Sequence, residues 1–210
     1  RLQSRTRRPL TFAPASTGKM PSMGVSYESH FGFLRPPFSL APDPRFLFDS
    51  LSHAAACDDL AAASPNSEAL VVVTGEVGTG KTTLCRALTA RLGTRALVAL
   101  LPRPPLTREE LVEGILRQFG VIPEARGARQ TSERELMEVL ERFLVPLESL
   151  HAQASVVIDE AQHLPAEVFE QLRVLADLTS NGHHLLQVVL VGQPELEDIL
   201  GRPDMRALGQ

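Results

Sequence analysis

Two stretches of this chain hold residue types whose spacing could do phosphate chemistry. The first is Gly75-Glu76-Val77-Gly78-Thr79-Gly80-Lys81-Thr82-Thr83, which follows the apolar run Val71-Val72-Val73 and fits G-x-x-x-x-G-K-[ST] without a gap. Glycines let a backbone turn tightly and bring its N–H groups close to phosphate oxygens. A helix beginning near Gly80 adds the positive end of its dipole. Lys81 would neutralise β/γ-phosphate charge, and the Thr82 hydroxyl would be a ligand of Mg²⁺. The second is Val156-Val157-Ile158-Asp159-Glu160, an apolar run ending in two acids. Asp159 would hold Mg²⁺ directly or through water, and Glu160 would orient and deprotonate an attacking water. The second acid favours hydrolysis of a nucleoside triphosphate over transfer to a small acceptor.

Further polar residues cluster after apolar runs. Gln193, in Gly192-Gln193-Pro194-Glu195, is the candidate for a sensor between the acids and a γ-phosphate, with a plain turn residue as the alternative. Gln162 and His163 directly follow the acids, with a γ-phosphate switch as the functional reading for Gln162 and plain surface for His163. His183-His184 sits in a turn without a partner cluster and reads as surface. Arg202 and Arg206 read as helix-end surface charge, with a trans-acting arginine as the alternative.

Positioning these groups requires strands that stop where the acids and the glycine loop begin. Residues 69–74, 95–101, 154–159 and 185–191 read as near-continuous apolar strands, the signature of a parallel sheet covered on both faces. Between them lie helical patterns. One starts at Gly80 and ends near Leu92. A second runs from the capping box Thr107-Arg108-Glu109-Glu110 to Phe119. A third starts at Ser132-Glu133-Arg134-Glu135 and carries Leu136, Leu140, Phe143, Leu147 and Leu150 on one face, with Pro146 expected to kink or break it. A fourth has Pro165 in its first turn and is expected to end near Asn181-Gly182. A short helix starts at Pro194. The alternation defines an α/β fold with a parallel sheet flanked by helices.

Composition sets limits. The chain has 210 residues, a formal charge of -4, no Trp and one Tyr. Residues 1–24 hold five of the 21 basic residues and no acid, leaving 16 basic against 25 acidic residues beyond them, a formal -9. An acidic body disfavours a broad nucleic-acid face. Cys57 and Cys85 do not make a disulfide framework and fit a reducing compartment, Cys85 as a small buried thiol. No apolar run is long enough to span a bilayer. We divide the chain into a disordered basic extension (1–24), an aromatic and Pro-rich arm with an alanine-rich helix over 52–63 (25–66), and a P-loop core (67–210). A start near Met20 or Met23 would leave part of the basic extension outside the natural protein.

Several motifs together carry a family resemblance. Tyr27-Glu28-Ser29-His30-Phe31-Gly32-Phe33, Pro37-Phe38, Pro42-Asp43-Pro44-Arg45-Phe46, Thr74–Thr83, Asp159-Glu160-Ala161-Gln162 and Val191-Gly192-Gln193-Pro194-Glu195-Leu196 resemble the ATPase module of the general secretion pathway protein A (ExeA-like) family of AAA+ ATPases. The resemblance also extends to transposition-helper ATPases. It implies ATP and Mg²⁺ as cofactors, with Lys81, Thr82, Asp159 and Glu160 in the roles given above. It implies self-association or a protein partner, and a cytoplasmic location at the inner face of a bacterial inner membrane. The family carries Asn where His163 stands. It also implies sheet order 5-1-4-3-2, with this chain lacking strand 5 and the helical lid. The expectation is thus a Mg²⁺-dependent ATPase coupled to work on a secretion or pilus assembly. The alternatives are a DNA-processing helper and a truncated nucleotide-binding module without turnover.

Overall fold

A computed structural model describes residues 27–34, 55, 69–91, 96–123, 131–150 and 152–202. The chain divides into two units, residues 1–40 and 41–210. In the first, helix α1 (Tyr27–Phe31) is followed by Gly32 at positive φ. The Phe31 ring stands edge-on to His30 and lies tilted against Phe33 at 5.9 Å. The rest of the arm and all but Ala55 of the alanine-rich helix lie outside the described residues.

Among its described residues the second unit is built on four parallel strands: β1 (Leu70–Thr74), β2 (Ala96–Leu101), β3 (Gln153–Ile158) and β6 (Gln187–Gly192). Their order is β1-β6-β3-β2, which matches the 1-4-3-2 part of the expected order. Helices α2 (Lys81–Arg91), α3 (Arg108–Gln118), α4 (Glu133–Ser149), α5 (Ala166–Ala176) and α6 (Glu195–Leu200) connect and follow them. The period of two along each strand divides the apolar side chains between two layers. Val156, Ile158, Val188, Leu190, Ala99 and Leu101 enter the large core under α3, α4 and α5, with Leu111, Ile115, Leu140, Phe169 and Leu172. Val157, Val189 and Val191 face the other way, where they meet Cys85 of α2 and are flanked by Val71, Val73, Val98 and Leu100. Both faces of the central strands are therefore apolar, which is why their sequence does not alternate.

Helix starts follow the caps. Ser132 and Glu135 form a complete capping box on α4. Thr107 accepts from the Glu110 N–H, but the Glu110 carboxylate turns instead to the Leu106 N–H at 2.8 Å, so the reciprocal half is displaced by one residue.

Three expectations are corrected. Helix α4 continues through Pro146 to Ser149. Its outer Pro side gives up one backbone bond, and burial of Leu136, Leu140 and Leu144 holds the rod together. Leu150 is not on the buried face: it caps the helix and is 71% exposed. Helix α5 ends at Ala176, not near Asn181. Asn181 and Gly182, both at positive φ, form the tip of a two-residue hairpin between β4 (Thr179–Ser180) and β5 (His183–His184). Asn-Gly is the favoured sequence for such a turn because both positions must be left-handed.

Candidate functional site

Strand register brings the chemistry together. Thr74 lies beside Gly192 across β1 and β6, and Ile158 lies beside Leu190 across β3 and β6. The residues that follow, Gly75, Gln193 and the pair Asp159-Glu160, therefore leave the sheet side by side at its carboxyl end. Ligands of open parallel α/β sheets bind at that end.

The glycine loop is shaped for an anion. Gly78 and Gly80 have φ of 83° and 87°, a left-handed conformation open to glycine and of the kind that builds anion-binding backbone nests. Thr79 pins the turn by donating its hydroxyl to the Glu76 carbonyl at 2.8 Å, and the Gly75 N–H is tied to the Gly192 carbonyl. A Cβ at Gly75 would come within 3.0 Å of the Thr79 hydroxyl. Lys81 is only 9% exposed, and its ammonium donates to the carbonyls of Gly75 (2.7 Å) and Glu76 (2.9 Å). The cation is thus held over the loop by neutral acceptors that a phosphate can replace. Thr83 opens α2 beside Thr82, and Val77 stands outward at 76% exposure.

Thr82 and Asp159 meet although 77 residues apart: the Thr82 hydroxyl donates to Asp159 Oδ2 at 2.5 Å. Asp159 is 2% exposed, and its other oxygen accepts the Glu160 N–H at 2.9 Å. Two hard oxygen donors converging at a part-buried position match the ligand preference of Mg²⁺, so these residues fit that ion.

Glu160 has φ 55° and ψ 38°, a left-handed conformation that costs a non-glycine residue about 1–3 kcal/mol. Its carboxylate Oε2 accepts from the Gln162 amide at 2.7 Å and lies 3.5 Å from the Gln193 amide. Gln162 also accepts the Gln193 N–H through Oε1 at 3.1 Å. Gln193 is therefore beside Glu160, where a sensor of the acid pair would stand.

The site thus gathers Gly75 through Thr83, Asp159, Glu160, Gln162 and Gln193. His163 is exposed. His183 and His184 lie at the opposite end of the sheet, where His184 Nδ1 approaches the Ala176 carbonyl at 2.8 Å. Arg202 is exposed after α6, and Arg206 lies outside the described residues. Two participants were not singled out from sequence. Thr74 donates to Glu197 at 2.5 Å, joining β1 to α6. Gly192 leaves room for the Gln162 amide, and its glycine just before Gln193 was the available signal.

A family model described as an AAA domain matches residues 65–200, from before β1 to the end of α6. The chain belongs to the AAA domain family. The chain is 38% identical over 184 residues to general secretion pathway protein A of Aeromonas hydrophila, a match covering 88% of this chain and 33% of that protein. It therefore spans about a third of the length of that relative. This bears out the resemblance carried by the motifs. Among solved structures, Cdc6p of Pyrobaculum aerophilum is similar at a TM-score of 0.59 and 18% identity, over 80% of this chain and 46% of that one. The ORC2 protein of Aeropyrum pernix in an ADPNP–ADP complex is similar at 0.51 and 21%, over 80% and 45%. At these identities the likeness concerns the fold alone, a parallel sheet flanked by helices. Among the described residues no helix is long and apolar enough to cross a membrane.

Proposed function

We propose that this AAA domain binds ATP with Mg²⁺ and hydrolyses it, and that the cycle drives conformational work on a protein assembly. The observation that carries the proposal is the junction of Thr82 with Asp159 beneath the Lys81 loop, with Glu160 as the next residue. The loop N–H groups and Lys81 would take the phosphates in exchange for the Gly75 and Glu76 carbonyls. Thr82 and Asp159 would hold Mg²⁺, which when bound supplies positive charge to the β- and γ-phosphate oxygens.

Glu160 is the general base. It orients a water and accepts its proton while the water oxygen bonds to the γ-phosphorus. The bond from that phosphorus to the β–γ bridging oxygen breaks, and its electron pair leaves with ADP. Gln193 senses the γ-phosphate and reports its loss to α6.

The likeness to general secretion pathway protein A supports a partner in a secretion assembly and a place at the inner face of a bacterial inner membrane. Self-association is part of the same reading. Turnover of ATP by the full chain and its Glu160→Gln variant, with Mg²⁺ and with chelator, tests the chemistry. The expected result is Mg²⁺-dependent release of phosphate that the variant lowers by about 10²- to 10⁴-fold while still binding ATP. Equal turnover in both chains would refute the role of Glu160.

A further inference from the structure

Gln162 makes contacts that the reading above does not use. Its two amide ends grip two different segments: Nε2 donates to Glu160 Oε2 at 2.7 Å, and Oε1 accepts the Gln193 N–H at 3.1 Å. The first segment follows β3 and the second follows β6, so one side chain bridges the ends of neighbouring strands. The clearance for this bridge is narrow. A Cβ at Gly192 would lie 2.7 Å from Gln162 Oε1, well inside contact distance. Leu196 Cδ2 and Cβ stand at 3.0 and 3.3 Å on the same side. Glycine at the end of β6 is what lets the amide enter.

Glu160 has a left-handed backbone and stands just before a three-residue 3₁₀ turn (Ala161–His163), so no regular helix holds its side chain. Both the Gln162 and Gln193 amides converge on the same carboxylate oxygen, Oε2. Oε1 is then the oxygen they leave for water.

We infer that Gln162 is a positioning residue: it fixes Glu160 by Oε2 and ties that position to the backbone at the end of β6. The inference rests on the reading of Glu160 as general base. A shift of Gln193 with phosphate state would then move Glu160 through Gln162. Because Gln162 makes none of these contacts with the glycine loop, its loss should act on turnover and leave ATP affinity alone.

The test uses steady-state turnover of Mg²⁺-ATP by the full chain, with binding of a non-hydrolysable ATP analogue and urea unfolding measured in parallel. For Gln162→Ala the expected result is a kcat lower by about 10- to 100-fold, the cost of a misplaced reacting group. KM and analogue affinity should stay within about twofold of the parent. Gly192→Ala should lower kcat in the same way, by pushing the flexible amide aside. The double variant should lose little kcat beyond Gln162→Ala, because the nearest atom the new Cβ meets, Gln162 Oε1, is gone. The remaining crowding against Leu196 at 3.0 and 3.3 Å is read in the urea midpoint. Gln162→Glu keeps the shape and the acceptor for the Gln193 N–H but sets a carboxylate against Glu160. It guards against a folding defect, and its kcat should also fall.

Wild-type kcat in Gln162→Ala and Gln162→Glu, equal losses of kcat and affinity, or additive effects in the double variant would overturn the inference. Where the parent turns over and Glu160→Gln does not, such a result overturns the inference alone. A parent that does not turn over, or a Glu160→Gln variant that does, overturns the ATPase reading and this inference with it.

Discussion

The two ends of the parallel sheet are built from the same strands and differ in almost everything else. At the carboxyl end, Gly78, Gly80 and Glu160 all have positive φ, and a buried lysine and a buried aspartate lie within a few residues of them. At the amino end there is a cavity of about 440 Å³ lined by Leu144, Leu147, Glu148, Asn181, His183 and Leu185 among others. Its polar groups serve packing: Asn181 donates to the Glu148 carboxylate at 3.1 Å and so pins the β4–β5 hairpin to the end of α4. A concave space with histidines and an acid is therefore not sufficient for chemistry. What sets the proposed functional end apart is a positive-φ glycine loop, a buried lysine and a buried aspartate that leave neighbouring strands together, with Glu160 in a left-handed conformation that costs energy.

The largest expected effect breaks the carboxyl end alone. Lys81→Ala removes the loop cation, and turnover should fall by about 10²- to 10³-fold. The urea midpoint should hardly move, since the carbonyls of Gly75 and Glu76 lie at a surface that water can reach. A large loss of stability with Lys81→Ala would mean that the ammonium is a structural pin, and the contrast between the ends would weaken.

An effect of comparable size, on stability instead of turnover, belongs to the layer between the ends. Phe169 of α5 is fully buried among Leu172, Leu140 and the β3 and β6 side chains. Phe169→Ala should cost about 3–5 kcal/mol of stability by urea unfolding. Under conditions where the variant is still folded, its KM for ATP should be unchanged. A changed KM would show that the large core tunes the site rather than carrying it.

Much of this arrangement was legible in the sequence. The strands showed because burial on both faces forces runs such as Val71–Val73, Val156–Ile158 and Val188–Val191, and strands are fixed by local composition. The glycine loop showed because each of its residue types answers a backbone or charge requirement at a fixed spacing. The hairpin did not, because Asn181-Gly182 satisfies a helix end as well as a type I′ turn, and only the pairing of Thr179 with His184 decides between them. Pro146 misled for a similar reason: the loss of one backbone bond was outweighed by packing of residues on the opposite face. The bridge made by Gln162 was the least legible. It depends on the register of β3 against β6, a long-range fact with no local signature apart from the glycine at 192.

At the amino end, Gly182→Ala tests the hairpin as a device of stability. Gly182 has φ of 84°, so an alanine there is strained even though a Cβ would meet nothing within 4 Å. The expected cost is about 1–2 kcal/mol in urea unfolding, with turnover and ATP affinity unchanged. Loss of turnover without loss of stability would show that the hairpin communicates with the site.

The smallest effect separates location from function. The C-terminus of α4 lies against the start of β3, and its 17 residues extend about 25 Å, so Ser132 sits toward the same end of the sheet as the site. It belongs to no strand end, however, and its contacts are those of a cap: it accepts the Glu135 N–H while Glu135 accepts its own N–H. Ser132→Ala should therefore cost about 1 kcal/mol of stability, the usual value of a lost N-cap. Turnover and KM should remain those of the parent, because the site is assembled from the ends of β1, β3 and β6 and not from whatever lies at that end. A fall in kcat with Ser132→Ala would extend the functional region from the strand ends to the helix layer, and the contrast between the two ends would then have to be redrawn as one between sheet and helices.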